Sequence, residues 1–181
     1  LMNKKIYFKN VYVYDLIKHK DNRGFFIELF NYKNLKKKLN IDFNCLQTSL
    51  AHSKKKVFRG FHVQNIKPIE QLISVIYGSV YYYFFDIRKN SKTFGKHHKV
   101  LLSSKNQRML YLPKGFAGGY YCVDKENIVL YHQNEFFYKK FDSGFNIRSK
   151  SINIKITKKI ISSKKDLNLK NFSEFSNFVM K

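Results

Sequence analysis

The chain has 181 residues, with 35 Lys and Arg against 12 Asp and Glu and a formal net charge of +23. This length allows one domain with a hydrophobic core and is short for two, and a hydrophobic content of 44% excludes a disordered chain. No apolar run approaches the ~20 residues that span a membrane, and the N-terminal residues lack a signal-peptide core. We therefore expect a single domain over residues 1–181, located in the cytoplasm and without a membrane partner.

The cysteine content and the distribution of charge indicate which cellular compartment and which partners to expect. Cys45 and Cys122 are the only cysteines, and their spacing fits neither a disulfide framework nor a zinc site, which favours a reducing compartment. The lysines are spread along the whole chain, and Asn and Ile are abundant as well, so the positive charge fits a general compositional drift. We therefore expect no nucleic-acid partner, although a diffuse positive field attracts any anionic ligand.

Short apolar or alternating segments recur along the chain and predict β-strands. In chain order they cover residues 6–17, 25–30, 44–51, 57–64, 71–89, 97–104, 108–113, 118–123 and 127–134, with a turn at 21–24. Gly78 interrupts the longest segment and predicts a hairpin whose second arm is strongly aromatic. The Lys-rich segment Tyr32–Leu39 predicts one or two helical turns, and residues 164–178 predict a helix or a tail that wraps the body. Regularly spaced strands with few helices are typical of a β-sandwich or β-barrel, so we expect an all-β fold.

The segment VFRGFHVQ, residues 57–64, places charged and titratable side chains on a predicted strand. Arg59 and His62 are three positions apart, so they fall on opposite faces of an ideal strand. Taken alone, His62 is read as a hydrogen-bonded core or surface histidine. His97 and His98 are adjacent and point to opposite faces, and no His-x-His set with metal-ligand spacing occurs, so we expect no metal.

Six motifs occur in a fixed order over most of the chain. They are DNRGFFIE at 21–28, RGFHVQ at 59–64 with Gln47 upstream, DIRKNSKTFG at 86–95, PKGFAGG at 113–119, VLY ending at Tyr131, and SKKD at 163–166. Each motif alone is weak, but in this order and at these spacings the sequence resembles the dTDP-4-dehydrorhamnose 3,5-epimerase family. The resemblance implies a cupin-type jelly roll, a sugar-nucleotide substrate, a homodimer, and no cofactor.

The resemblance also implies a mechanism based on acid–base catalysis. A 4-keto group acidifies the hydrogens on C3 and C5, so a base on one face of the ring and an acid on the other can invert either centre. The matching positions make His62 the base, Asp166 the residue that orients its imidazole, and Tyr131 the opposite acid. Without the resemblance, Asp166 is read as a helix N-cap or a loop carboxylate, and Tyr131 as a core aromatic residue.

Other matching positions imply contacts with the substrate, and several of them differ from the family pattern. The resemblance implies that Arg59 lies near the keto oxygen or a phosphate and that Arg23 and Glu28 bind the nucleotide. Gln47 keeps the family residue. Four further substrate-binding positions are altered: Gln71 replaces a lysine, Gly118 replaces a histidine, Ser49 replaces an asparagine, and a tyrosine falls on Phe137 or, with a one-residue slip, on Tyr138.

These alterations leave several interpretations open. The protein can be an epimerase for a different 4-keto-6-deoxy sugar, an epimerase that inverts only one centre, or a relative that binds a sugar nucleotide with little or no turnover. A basic β-domain that binds single-stranded nucleic acid by aromatic stacking is the competing class. That class predicts an exposed Tyr81–Phe85 segment, whereas the epimerase class places alternate members of the segment inside the barrel.

Overall fold

The structure, a computed structural model, describes residues 4–8, 10–154 and 159–179. Within these ranges the chain forms thirteen β-strands and three α-helices. The strands are β1 Lys4–Tyr7, β2 Val11–Asp15, β3 Lys18–Asp21, β4 Gly24–Ile27, β5 Gln47–Lys54, β6 Phe58–Gln64, β7 Gln71–Tyr77, β8 Ser79–Asp86, β9 His97–Ser103, β10 Arg108–Leu112, β11 Phe116–Cys122, β12 Glu126–Gln133 and β13 Asp142–Gly144. The helices are α1 Tyr32–Leu39, α2 Lys164–Leu167 and α3 Phe172–Val179. The all-β expectation is confirmed, as is the helix at Tyr32–Leu39.

Two antiparallel sheets form the body of the protein. The six-stranded sheet has the order β1-β2-β10-β7-β12-β5, and the five-stranded sheet has the order β13-β6-β11-β8-β9. Strands β3 and β4 form a separate two-stranded hairpin. No helix among the described residues is long and apolar enough to cross a membrane.

The predicted hairpin at Gly78 is wrong, because the two flanking strands belong to different sheets. Strand β7 pairs with β10 and β12, whereas β8 pairs with β9 and β11. Gly78 has φ +76°, and a Cβ atom there would meet Asn127 Oδ1 at 2.7 Å. The chain therefore crosses from one sheet to the other at a position that only glycine fits without strain.

The aromatic strand β8 is buried on both faces. Tyr82 and Phe84 pack into the core between the two sheets, and Tyr83 and Phe85 pack into a second core on the outer face of the five-stranded sheet. Tyr82 is 2% exposed and Phe84 is fully buried. This alternation removes the exposed aromatic surface on which the nucleic-acid alternative depends, and it matches the placement expected for the epimerase class.

Helical segments cover the outer faces of both sheets. Helix α1 buries Leu35 and Leu39, which lie one turn apart, against the six-stranded sheet. Asn31 caps the helix by accepting a hydrogen bond from the Asn34 amide at 3.0 Å. Phe172 of α3 packs in the second core on the opposite side of the molecule. Each sheet therefore has two apolar faces, and the polar side chains gather where the inner faces open.

A bulge in β6 places Arg59 and His62 on the same side of the strand, so the expectation of opposite faces is wrong. His62 pairs with Gly118 and Arg59 pairs with Tyr120, so a step of three residues in β6 lies opposite a step of two in β11. One extra residue reverses the alternation of side chains beyond it. Gly60, with φ +113°, occupies the bulge, where a Cβ atom would meet Gly118 O at 2.7 Å.

Replacing the bulge glycine should destabilise the fold more than replacing a glycine of similar φ in open space. Gly24 has φ +136°, and no atom lies within 4 Å of the place that a Cβ atom would take there, so Gly24→Ala carries the backbone strain alone, about 1–2 kcal/mol. Gly60→Ala adds an overpacking cost of about 1–3 kcal/mol. Urea unfolding of both variants measures the difference, and equal losses would show that the bulge tolerates a side chain.

Candidate active site

A cavity of about 470 Å³ opens between the inner faces of the two sheets. The six-stranded sheet contributes side chains from β5, β7 and β12, and the five-stranded sheet contributes side chains from β6, β8 and β11. Its polar lining includes Gln47, Ser49, Arg59, His62, Gln71, Tyr82, Tyr120, Tyr131, Gln133, Asp142, Lys165 and Asp166, together with the backbone at Gly118. A site of this size and polarity suits a small organic ligand with several oxygen atoms.

His62 lies between two carboxylates in the wall of this cavity. Its Nδ1 atom lies 3.1 Å from Asp142 Oδ1, and its Nε2 atom lies 3.1 Å from Asp166 Oδ1. The side chains of Asp142 and Asp166 are only 6% and 10% exposed. Both ring nitrogens are therefore engaged by ions that water reaches poorly, which fixes the orientation of the imidazole.

This arrangement favours the charged form of the imidazole. Burial by itself would lower the pKa of His62, but the hydrogen bonds to Asp142 and Asp166 outweigh it and raise the pKa to about 9. Burial raises the pKa of each carboxyl group, and the bond to His62 reverses that effect, so both pKa values fall below the usual range. At neutral pH the group is an imidazolium held between two carboxylates.

Two different elements bring the carboxylates to His62. Asp142 begins β13, which pairs with β6 beside the histidine. Asp166 lies in the short helix α2, where Ser163 is the N-cap and accepts a hydrogen bond from the Asp166 amide at 3.0 Å. The Gly60 amide at the bulge donates to Asp166 Oδ2 at 3.2 Å. Asp166 is therefore not the N-cap itself, and the bulge and the capped helix fix its carboxylate together.

Asp142 and Lys165 are residues of the cavity that the sequence analysis missed. The Lys165 ammonium forms an ion pair with Asp142, whose other oxygen bonds His62. Lys165 stands within the SKKD motif, so its position in the cavity was open to prediction, but no local pattern around Asp142 marks it. Its contact with His62 spans 80 residues of sequence and depends on the pairing of β13 with β6.

Tyr131 faces the cavity from the sheet opposite His62. It lies on β12 in the six-stranded sheet, whereas His62 lies on β6 in the five-stranded sheet. Burial, followed by the nearby hydroxyls of Tyr120 and Tyr82, raises the pKa of Tyr131 well above 10. The phenol therefore keeps its proton until another group accepts it.

An amide and hydroxyl network forms another part of the wall. The Gln47 amide donates to Ser49 Oγ at 3.0 Å, and Ser49 donates to Gln133 Oε1 at 3.2 Å. Gln47 Oε1 accepts from the Phe137 amide at 2.9 Å, which ties the loop after β12 to β5. Gln133 was not predicted from sequence, although it follows Tyr131 by two residues and so shares its face of the strand.

Two hydrogen bonds hold Arg59 at the cavity, and its other N–H donors remain available to a ligand. Its Nε donates to Ser53 Oγ at 2.9 Å, and one terminal nitrogen donates to the His52 carbonyl at 3.1 Å. A guanidinium group carries five N–H donors, so the remaining donors can bind an anionic ligand. Gln71 lies in the same lining and contributes a neutral amide.

Three residues that the sequence analysis assigned to the substrate lie outside the cavity lining. Arg23 is paired with Asp21 in the β3–β4 hairpin, and Glu28 accepts hydrogen bonds from Asn31 and Asn34 near α1. The remaining position offered two alternatives, and the structure distinguishes them. Phe137 lines the cavity, whereas the Tyr138 hydroxyl lies 3.3 Å from Lys67 Nζ at the surface, so Tyr138 as a substrate-binding residue stays a prediction.

No group of three or more His, Cys, Asp or Glu side chains in the described ranges is arranged to hold a metal ion. The functional groups of the cavity are thus a protonated imidazole on the five-stranded sheet with carboxylates from β13 and α2, a protonated phenol on the six-stranded sheet, and cations at Arg59 and Lys165. Such a set can transfer protons to and from opposite faces of one bound molecule.

Comparison with known proteins gives concordant results. Residues 5–174 match the family model described as dTDP-4-dehydrorhamnose 3,5-epimerase. The chain is 36% identical over 162 residues to the dTDP-4-dehydrorhamnose 3,5-epimerase of Shigella flexneri, covering 88% of this chain and 89% of that protein.

Solved structures agree in fold and sequence. The structure superposes with a TM-score of 0.91 and 32% identity on the Bacillus anthracis dTDP-4-dehydrorhamnose 3,5-epimerase with TDP and PPi bound, covering 95% of this chain and 100% of that one. It superposes with a TM-score of 0.93 and 27% identity on the Legionella pneumophila dTDP-6-deoxy-D-glucose-3,5-epimerase in complex with dTDP-4-keto-L-rhamnose, covering 99% and 97%. The fold of the chain is therefore the cupin-type jelly roll of these enzymes.

The two carboxylates make the titration of His62 a direct test of the site. We expect an NMR titration of the His62 imidazole to give a pKa near 9, and we expect Asp142→Asn and Asp166→Asn each to lower it, because each removes one ion that favours the imidazolium. Asp124→Asn removes an exposed carboxylate elsewhere and should leave the titration unchanged. A His62 pKa that stays near 9 in the Asp142 variant would contradict the double pairing.

Proposed function

Because the chain belongs to the dTDP-4-dehydrorhamnose 3,5-epimerase family, we propose that its cavity epimerises a dTDP-linked 4-keto-6-deoxy sugar through an enolate. The chain is an enzyme of the isomerase class. The observation that carries the proposed mechanism is the placement of His62 and Tyr131 on opposite sheets of one cavity. Ligands seen in related structures, TDP in one and dTDP-4-keto-L-rhamnose in the other, support the choice of nucleotide and sugar class.

In this mechanism His62 removes the proton next to the keto group. The imidazole is protonated in the free protein at neutral pH, so it must lose a proton before it acts as a base. Asp166 then holds the ring and stabilises the imidazolium that forms when the carbon proton is taken. Nδ1, which bonds Asp142 in the free protein, is then the nitrogen that takes the carbon proton, so the contact with Asp142 opens when the imidazole loses its first proton and the substrate takes that place.

Tyr131 returns a proton to the carbon from the opposite face. Its raised pKa keeps the hydroxyl protonated over the working pH range, so the phenol is available as an acid whenever the enolate forms. Removal of a proton from one face and return of a proton to the other inverts the carbon. The same pair of groups serves C3 or C5, depending on which carbon the bound sugar presents.

Arg59 and Gln71 are placed to stabilise the oxygen of the enolate. Arg59 supplies a charge-assisted donor, which is worth roughly 1.5–3 kcal/mol, whereas the Gln71 amide supplies a neutral one, worth about 0.5–1.5 kcal/mol. A neutral amide at position 71 is thus expected to cost on the order of tenfold in rate relative to a cation at the same place. We therefore expect a lower turnover rate than a variant with lysine at position 71 would have.

The nucleotide end of the site requires residues from outside this cavity. The β3–β4 hairpin carries Arg23 with its side chain 86% exposed, and Phe25 and Phe26 are 60% and 66% exposed. Exposed aromatic and cationic side chains on a projecting hairpin suit a nucleotide base and a phosphate. We assign Arg23 and Glu28 to the nucleotide site of a second copy of the chain, in a cytoplasmic homodimer formed from two single-domain chains.

Exchange with solvent deuterium separates the two proposed proton carriers. The protein is incubated in D2O with dTDP-4-keto-6-deoxy-glucose, and deuterium at C3 and C5 is followed by NMR. We expect His62→Ala to abolish incorporation, because no base remains. We expect Tyr131→Phe to retain incorporation through His62 but to lose the inverted product by about 10²-fold or more, because the opposite acid is missing.

His98→Ala is the control for these variants, because His98 lies on β9 outside the cavity and should leave both readouts unchanged. Wild-type protein that binds dTDP but incorporates no deuterium would favour the binding-only alternative. Full incorporation by His62→Ala would overturn the role of the histidine.

Mixing two inactive variants tests the assignment of the hairpin to a second copy. His62→Ala removes the base of its own cavity, and Arg23→Ala removes a residue of the neighbouring one, so a mixed dimer contains one intact site. Random exchange of subunits should restore up to about a quarter of the wild-type sites. Activity that stays at the level of the separate variants would place Arg23 in its own chain's site or outside any site.

A further inference from the structure

The space beside Gly118 is already occupied by the side chain of Tyr82. A Cβ atom built on Gly118 would clash with the Tyr82 hydroxyl oxygen and would lie 3.1 Å from Tyr82 Cζ. Gly118 and Tyr82 are on neighbouring strands of one sheet, β11 and β8, and both line the cavity. The phenol of Tyr82 thus fills the place that a side chain at position 118 would take, and it brings a hydroxyl group with it.

Packing fixes the Tyr82 ring in this position. The ring stacks on Tyr120 with a centroid distance of 6.1 Å and an interplanar angle of 15°, and Tyr82 is 2% exposed. The hydroxyl of Tyr82 makes no hydrogen bond with any residue in the part of the chain that the structure describes. Because Tyr82 lines the cavity, a ligand bound there can accept the hydrogen bond that no described residue accepts.

The chemistry of the cavity determines what this hydroxyl can do. Burial raises the pKa of Tyr82 well above 10, so the group stays a neutral donor. Tyr82 and Tyr131 line the same cavity, and Tyr131 packs against the core cluster to which Tyr82 belongs. Gln71 contributes a neutral amide to the cavity wall, and Gly118 contributes no side chain. The hydrogen-bond donors in this part of the wall are therefore neutral groups, among them the Tyr82 hydroxyl.

We propose that Tyr82 is a substrate-contacting residue whose hydroxyl donates a hydrogen bond to the keto oxygen of the bound sugar as that oxygen becomes an enolate. This inference rests on the proposed function, because the acceptor is the oxygen next to the carbons that His62 and Tyr131 serve. Tyr82 and Gly118 act as a matched pair, since a larger residue at 118 would displace the hydroxyl from the cavity wall.

Removal of the hydroxyl alone tests the proposal. Tyr82→Phe keeps the stacked ring and the packing, and we expect it to lower deuterium incorporation from D2O at C3 and C5 by about tenfold or more. The affinity for dTDP, measured by calorimetry, should stay the same, because the proposed acceptor is the keto oxygen of the sugar, which dTDP lacks. Tyr83→Phe removes a hydroxyl from the next residue of β8, which faces the other core, and should change neither value.

The pairing with Gly118 gives a second, independent measurement. Gly118→Ala forces the Tyr82 hydroxyl to move, so it should lower the exchange rate in the wild-type background and have a smaller effect in the Tyr82→Phe background. Equal effects in both backgrounds, or an exchange rate for Tyr82→Phe within twofold of the wild type, would overturn the role of Tyr82 and leave the proposed function in place. Absence of exchange in the wild-type protein would overturn the proposed function and this inference with it.

Discussion

The site depends on one imidazolium held between two carboxylates. Asp142 and Asp166 reach His62 from different parts of the chain, so the cluster forms only when β13 and α2 are both in place. Folding raises the pKa of His62 from 6.5 to about 9, so its contribution to stability is complete below the unfolded pKa and is lost as the pH rises through 9. The two carboxylates have the opposite pH dependence. Because folding lowers their pKa values, they stabilise the fold when they are ionised, and this contribution is lost as the pH falls and they become protonated.

The bulge at Gly60 is the backbone feature that makes this cluster possible. It brings Arg59 and His62 to one face of β6 and directs the Gly60 amide at Asp166. A regular strand would have turned either the arginine or the histidine away from the cavity, because side chains alternate along an ideal strand. A glycine is needed there because the backbone of β11 lies too close for a Cβ atom.

Neutral groups form much of the remaining cavity wall. Tyr82, Tyr120 and Tyr131 contribute phenols from two sheets, and Gln71 contributes an amide. The charges of the site are therefore concentrated around His62, where Lys165 is paired with Asp142, and Arg59 is the cation that keeps N–H donors for an anionic ligand. Tyr131 is the buried neutral acid on the sheet opposite His62, so a base and an acid face one another across the cavity, which is the arrangement that inversion of a carbon requires.

The sequence alone determined most of the strands, though not β3 or β13, together with the helix at Tyr32–Leu39, the family, and most of the polar lining, because these depend on local periodicity and on short motifs. Tertiary structure decided what local patterns do not encode. The change of sheet at Gly78, the extra residue in β6, the arrival of Asp142 beside His62, and the occupation of the space at Gly118 by Tyr82 all depend on strand register. Register is set by contacts between strands that lie far apart in sequence, and a shift of one residue exchanges the two faces of a strand, so the face on which a side chain acts is fixed only when the sheets assemble.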